Sequence, residues 1–361
     1  MKKNTRQKLQ IIGLMSGTSL DGLDIAYSSF EFLGEHVAFE VFQTKTVAYP
    51  KKLETILRHV KKLSGEELCL LDKQIGLFFA EQVNNFIKEF KLNTSEIDAI
   101  ASHGHTVFHQ PDKGFTLQIG CGSTISLKTG IVVINDFRTK DVLLGGQGAP
   151  LVPIGDFDLF SNEADGFLNL GGFSNISLKQ NGLITAFDIC PCNLPLNRFA
   201  EMKGFSFDLD GNLAKRGNIN TRQLNIWDNL SFYAQPAPKS LGTEWLDDNF
   251  YAQVDTSLTC EDALRTCVEH IVNQISSQFT KYCLKRVLVT GGGAKNNFLM
   301  ARLKQVSKTM LIVPQKTIID FKEAIIFAYL GALYLNGKPN NVPNVTGAKS
   351  PVCGGVLHTP K

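Results

Sequence analysis

The chain of 361 residues contains no apolar run near the ~18 residues that a membrane-spanning helix requires. Its basic start (Lys2, Lys3, Arg6, Lys8) is followed by Ile11–Met15, which is too short for a secretory leader and runs at once into Ser16 and Thr18. These two absences predict a cytoplasmic protein with no membrane partner. There is little excess charge of either sign: 37 Lys and Arg stand against 34 Asp and Glu, a net of +3, which argues against nucleic acid as a partner. Eight cysteines are scattered along the chain and form no small disulfide framework. Cys190-Pro191-Cys192 is the one close pair, and no second pair at zinc-finger spacing accompanies it. A Walker loop, G-x-x-x-x-G-K-[ST], is missing, and so is G-x-G-x-x-G after any predicted strand. Solenoid-length repeats and low-complexity tracts are also absent.

What is present is a soluble composition, 43% apolar and 20% charged, with two halves that repeat one order of elements. The first half reads as strands at 9–15, 22–30 and 36–47. A helix follows, with Leu68, Leu71, Ile75, Phe78, Phe79, Phe86 and Phe90 largely on one face, then strands at 97–101, 116–119 and 131–134. The second half reads as strands at 166–170, 173–178 and 183–187, with a helix from near Cys192. A long amphipathic helix follows through Leu264, Cys267, Ile271, Ile275 and Phe279, then a strand at 286–290 and helices from Asn296 and over 322–335. Alternating elements predict an α/β fold with mainly parallel sheets. The expected domains are an N-terminal lobe over 1–138, a C-terminal lobe over 139–345, and a segment over 346–361 returning toward the first lobe.

Three glycine turns stand at matching places. Gly13-Leu-Met-Ser-Gly-Thr-Ser-Leu-Asp-Gly-Leu-Asp24 lies between two strands. Gly17 and Gly22 let a ligand approach the backbone, while Ser16, Thr18 and Ser19 offer hydroxyls. Asp21 and Asp24 are candidate Mg²⁺ ligands acting through water. An ordinary Gly/Asp turn explains the same residues. Asn169-Leu-Gly-Gly-Phe-Ser-Asn175 is the second turn, and Thr290-Gly-Gly-Gly-Ala-Lys-Asn-Asn297 the third, before a helix whose N-terminus favours anions. Each alone reads as a tight turn. Together, with no Walker loop, they point to a nucleotide held by split glycine turns in a cleft between lobes, as in the superfamily of sugar kinases, actin and heat-shock chaperones.

At this point the sequence resembles a known family, the anhydro-N-acetylmuramic acid kinases. The resemblance is carried by Gly13–Asp24, Ser102-His-Gly-His-Thr106, Asn135-Asp-Phe-Arg138, Gly145-Gly-Gln-Gly-Ala-Pro-Leu151, Asn169–Asn175, Phe187-Asp188, Pro238-Lys-Ser240, Gly291–Asn297 and Glu323-Ala324. The resemblance implies two duplicated actin-like, ribonuclease H-like lobes. It also implies ATP and Mg²⁺ as cofactors, 1,6-anhydro-N-acetylmuramic acid as the small amino-sugar substrate, N-acetylmuramic acid 6-phosphate as product, and a homodimer. ATP would contact Ser16, Gly17, Thr18, Ser19, Leu20, Asp21, Gly22, Leu23, Asp24, Gly171, Gly172, Asn175, Gly291, Gly292, Gly293 and Asn296. One departure stands out: where the family reads Thr-Gly-Pro-Gly-Asn after the aspartate, this chain has Ile189-Cys190-Pro191-Cys192-Asn193.

Asp188, at a predicted strand end, is the expected general base, with capping of the next helix as the structural alternative. Arg138 is expected to hold a carboxylate or phosphate, with an ion pair to Asp141 as its alternative. Glu323, His105, Thr106 and Gln147 are the remaining candidate sugar contacts. His103, His105 and His109 read as loop or core histidines rather than metal ligands. Two other functions compete: a kinase for an ordinary hexose that deprotonates a hydroxyl directly, and a non-enzymatic actin-like or chaperone-like ATP-binding protein.

Overall fold

The computed structural model describes residues 8–17, 20–34 and 36–361. Among these, twelve strands form two sheets. They are β1 (Lys8–Ser16), β2 (Leu23–Leu33), β3 (His36–Val47), β4 (Ala99–Gln110), β5 (Phe115–Ile119), β6 (Val133–Asn135), β7 (Gly166–Leu170), β8 (Phe173–Gln180), β9 (Leu183–Pro191), β10 (Arg286–Thr290), β11 (Met310–Ile312) and β12 (Val356–His358).

The first sheet has the order β12-β6-β4-β1-β2-β3, with β5 also on β4, and the second the order β11-β10-β7-β8-β9. In each, the first three strands form an antiparallel meander (β1-β2-β3, β7-β8-β9). The later strands join the first in parallel (β1-β4-β6, β7-β10-β11). That is the ribonuclease H-like order, present twice. The expected duplication is therefore one of topology. The expectation of mainly parallel sheets is corrected. Short turns between β1, β2 and β3 permit only hairpins, and parallel pairing needs a helical crossover. Such a crossover lies between β3 and β4 in the helix Gly65–Glu89, and between β9 and β10 in the helix Cys260–Lys281.

Contacts divide the chain into two compact units, Met1–Phe160 with Phe321–Lys361, and Ser161–Asp320. The borders differ from the expected 138/139 and 345/346. Phe160, at the end of the helix Val152–Phe160, meets the ring of Phe39 on β3 at 5.2 Å. The later turns of the helix Lys316–Leu335 lie on β1 and β4: a Cβ on Gly13 would run into the carbonyl of Ala324, and one on Gly331 would come within 2.7 Å of Ala101. Both stretches thus complete the first core. β12 pairs antiparallel with β6 in the same unit.

The first unit's core lies between β1, β2, β4 and the Gly65–Glu89 helix. A capping box of Ser64 and Glu67 starts that helix, and Leu71, Ile75, Phe79, Val83 and Phe86 are its buried stripe. The second unit is built around Cys260–Lys281, which is buried on most of its faces by Leu264, Cys267, Val268, Ile271, Ile275 and Phe279. Burying each such side chain contributes about 1.5–3 kcal/mol.

Candidate functional site

In the first unit β1 ends at Ser16 and β2 begins at Leu23, so the glycine-rich motif lies at the connection between them, of which Gly17, Leu20, Asp21 and Gly22 are described. Thr18 and Ser19 lie outside the described residues. Leu20 has φ 62° and Gly22 φ 145°. A Cβ on Gly22 would stand 2.5 Å from the Val47 carbonyl oxygen, so the turn is closed against β3 and only glycine fits. Ser16 is buried, its Oγ 2.6 Å from the Tyr49 hydroxyl and 2.9 Å from His105 Nδ1. Desolvation pushes the Tyr49 hydroxyl up to about 12 and the His105 imidazole down to about 4, so both neighbours of Ser16 are neutral near pH 7. Asp24 accepts from Thr46 Oγ1 at 2.5 Å, and Asp21 is exposed. Gly13, read from the sequence as part of this turn, instead serves the packing of β1 under Ala324. Among the described residues no group of three or more His, Cys, Asp and Glu side chains can hold a metal ion.

The Ser102–Thr106 motif is not a loop but the middle of β4. His103 is buried, and its Nδ1 lies 2.9 Å from the Gly104 carbonyl oxygen. Its Nε2 receives Arg138 Nε at 3.1 Å and Nη2 at 2.9 Å, while Arg138 Nη1 donates to the Gly148 carbonyl at 2.6 Å. The alternative ion pair with Asp141 is not formed. That carboxylate, fully buried, accepts instead from Gly148 N, Asn341 Nδ2 and Thr346 Oγ1, each at 2.7 Å. It thereby fixes the Gly145–Leu151 turn, on which Gln147 is exposed. Thr106 Oγ1 accepts from Gln118 Nε2 at 3.4 Å. Burial lowers Arg138 to about 10, which leaves it charged at neutral pH.

Glu323 was expected at a helix start, but the helix begins at Lys316, so Glu323 projects from its interior rather than from its N-terminal turn. It stays open to solvent, yet the protein crowding it raises its carboxyl above the usual range, with Lys322 and Arg138 pulling the other way. The neighbouring Lys322 Nζ bonds Asp156 Oδ1 at 3.0 Å, both side chains almost wholly buried, and this anchors the turn that carries Glu323.

In the second unit, Asp188 lies within β9, opposite Asn175 on β8. The register shifts between Ser174 and Asn175, so Ile189 is an extra residue and β9 bulges beside Asp188, a device that re-aims a side chain. Asp188 is not a helix cap: its Oδ2 accepts from Leu241 N at 2.8 Å, and its own N–H donates to the Lys239 carbonyl at 2.9 Å. Oδ1 has no hydrogen bond from a described residue. Desolvation raises the carboxyl to about 6, against the lowering effect of the Leu241 N–H. The Gly171-Gly172 turn accepts from the amides of Cys192, Asn193 and Leu194, which docks it on the helix Asn193–Glu201. Gly291 has φ 84°, and a Cβ there would lie 2.5 Å from Asn169 Oδ1; one on Gly293 would lie 2.7 Å from Leu170 Cβ. The second and third glycine turns are therefore packed backbone to backbone. Asn296 caps the helix Asn297–Val306 by accepting from Leu299 N at 3.0 Å. Cys190 and Cys192 are wholly buried, and burial raises both thiols, Cys190 to about 12, so they are inert core groups.

Gly292, Gly293 and Asn296 also line a cavity of about 410 Å³ with Asn193, Phe207 and Leu209. Phe207 and Leu209 are more than half exposed there. Sequence reasoning missed this wall; the signal that could have found it is the alternation of Phe205, Phe207 and Leu209 with polar residues, although the segment folds as turns and a short 3-10 helix (Leu209–Gly211) rather than as a strand. It also missed that the Lys239–Leu241 backbone clamps Asp188, and that His103 holds Arg138.

The anhydro-N-acetylmuramic acid kinase family model matches residues 9–360. An anhydro-N-acetylmuramic acid kinase of Pasteurella multocida (strain Pm70) is 38% identical, with 96% of each chain covered. One of Haemophilus influenzae (strain ATCC 51907 / DSM 11121 / KW20 / Rd) is 38% identical over 96% of this chain and 97% of its own. Among solved structures, the activator of the 2-hydroxyisocaproyl-CoA dehydratase from Clostridium difficile with bound ADPNP is 13% identical, at a TM-score of 0.42 over 91% of this chain and 94% of that one. The near-complete family match and these relatives show that the chain belongs to the anhydro-N-acetylmuramic acid kinase family and is an ATP-dependent sugar kinase.

Proposed function

We propose that the protein opens the internal bond of 1,6-anhydro-N-acetylmuramic acid with water and phosphorylates O6 with ATP, giving N-acetylmuramic acid 6-phosphate and ADP in the recycling of peptidoglycan. The observation that carries this reading is Asp188. Its Oδ2 is pinned by Leu241 N, its Oδ1 is free of hydrogen bonds from described residues, and its carboxyl sits at about 6 beside a glycine-turn hairpin. A carboxylate tuned toward neutrality is a better base than one near its ordinary value and is still mostly ionised at pH 7.

Asp188 takes a proton from water as the water oxygen bonds to the anomeric carbon. The bond from that carbon to O6 breaks, and the freed O6 bonds to the γ-phosphorus as its bond to ADP breaks. Positioning and electrostatics supply most of the catalysis of such a transfer. The packed turns at Gly171-Gly172 and Gly291–Gly293 fit phosphates and ribose, and the Phe207 and Leu209 wall fits a flat base. In the first unit, Arg138 fits the lactyl carboxylate, with His105, Thr106, Gln147 and Glu323 as further sugar contacts. Asp21 and Asp24 suit Mg²⁺ only through water, in keeping with an ion that holds several waters and phosphate oxygens.

The test is turnover in oxygen-18 water with mass detection. Label at the anomeric hydroxyl of a phosphorylated product supports the reading. Phosphorylation of an ordinary hexose without label, and none of the anhydro sugar, overturns it.

A further inference from the structure

His103 has no place in the chemistry above, yet it is buried in β4 with every polar atom of its ring engaged. Its Nδ1 faces the Gly104 carbonyl oxygen at 2.9 Å, and a carbonyl can only accept, so Nδ1 carries the hydrogen. Nε2 is then a lone pair, and it accepts from both Arg138 Nε and Nη2, at 3.1 and 2.9 Å. The ring is braced from the side by Phe327, 4.6 Å away between centroids. The other hold on Arg138 is the Gly148 carbonyl, itself fixed through Gly148 N to Asp141. The guanidinium is thus hydrogen-bonded to an imidazole and a carbonyl, both uncharged, where a carboxylate is the commoner partner of an enclosed arginine; the carboxylates of Glu323 and Asp141 act on it only through space. Of its five N–H groups three are used, which leaves one on each terminal nitrogen to donate to a carboxylate.

We propose that His103 is a positioning residue that aims Arg138 with an uncharged acceptor, leaving its positive charge to select the acid-bearing sugar over the same sugar without the acid. The inference rests on the reading of Arg138 as the contact to the lactyl carboxylate. Desolvation and the Arg138 charge both hold the imidazole well below its ordinary pKa, in keeping with a neutral ring.

The test uses the full-length enzyme with ATP and 1,6-anhydro-N-acetylmuramic acid. The uncharged probe is 1,6-anhydro-N-acetylglucosamine, read by its inhibition constant against the acid sugar. His103→Phe keeps ring volume but removes the acceptor. It should raise KM for the acid sugar about tenfold or more, the scale of a lost charge-assisted bond, with kcat, the ATP KM and the uncharged probe's inhibition constant little changed. His103→Gln, whose amide oxygen can stand where Nε2 stands, should restore most of the affinity. His103→Glu should raise KM as Phe does, because it neutralises the arginine while still holding it. Equal loss for both sugars, a fall in kcat alone, or no change in His103→Phe overturns the proposal. Failure of the wild-type enzyme to phosphorylate the acid sugar at all would instead overturn the function proposed above.

Discussion

Replacing Asp188 with Asn removes the base and preserves its surroundings. An asparagine oxygen can still accept from Leu241 N, and the main-chain bond to Lys239 does not involve the side chain. The turns at Gly171 and Gly291 make no use of the carboxylate, so the ATP KM should stay within about twofold. Loss of a general base typically lowers kcat by ~10²–10⁴-fold. The carboxyl rises from an ordinary 3.8 to about 6 because burial penalises its charge. The wild-type kcat/KM should therefore lose activity below a midpoint of about 6, falling about tenfold per further pH unit. The same shift has a sign for stability. The folded state binds the proton more tightly than the unfolded chain, so the ionised form is disfavoured in the fold at neutral pH. The shift corresponds to up to about 3 kcal/mol, and the neutral amide relieves it. Asp188→Asn should accordingly melt at a higher temperature than the wild type while being nearly inactive, a trade between function and stability. The assay is ADP release at saturating ATP from pH 4.5 to 8.5, beside a thermal melt of both proteins. A variant retaining more than about a tenth of kcat, against the usual worth of a base, or an acid limb near 4 in the wild type, would show that Asp188 is not the tuned base.

Gly293→Val forces branched carbons against Leu170 Cβ, which even a bare Cβ would meet at 2.7 Å. It should cost about 1–3 kcal/mol by overpacking and raise the ATP KM more than the sugar KM, read by urea unfolding and initial rates. His105 is held down to about 4 by burial, so below pH 6.5 the unfolded chain takes a proton that the folded one refuses. Its depressed pKa gives stability that is present above 6.5 and lost as pH falls toward 4, about 3 kcal/mol in all. His105→Gln should flatten the stability-against-pH curve in that window, and an unchanged slope would show that the ring is solvated.

The element pattern was legible because it rests on local rules. The strand at 36–47 alternates in burial, and those at 166–170 and 286–290 are short apolar runs closed by the glycines at 171 and 291, so all three lie where the sequence puts them. The helix Gly65–Glu89 shows both its capping box and its buried stripe in the sequence. Sheet direction was misread because periodicity records which face is buried and carries no information about the partner strand. The unit borders shifted because helix Lys316–Leu335 was read from residue 322, and only its packing on β1 and β4 shows which core its later turns join.

For the candidate site, the chain alone determined the chemistry available: glycine where a backbone must turn left-handed or come close, Asp188 on a strand, Arg138 beside a turn. These are properties of single residues and short spacings, which survive without a fold. Tertiary structure decided what each group touches. It gave Arg138 to His103 rather than to Asp141, pinned one oxygen of Asp188 on a main-chain amide fifty-three residues away, and buried Cys190 and Cys192 as inert packing. Charge state and aim follow from desolvation and from long-range partners, and neither is written in the residues next to a group in the chain.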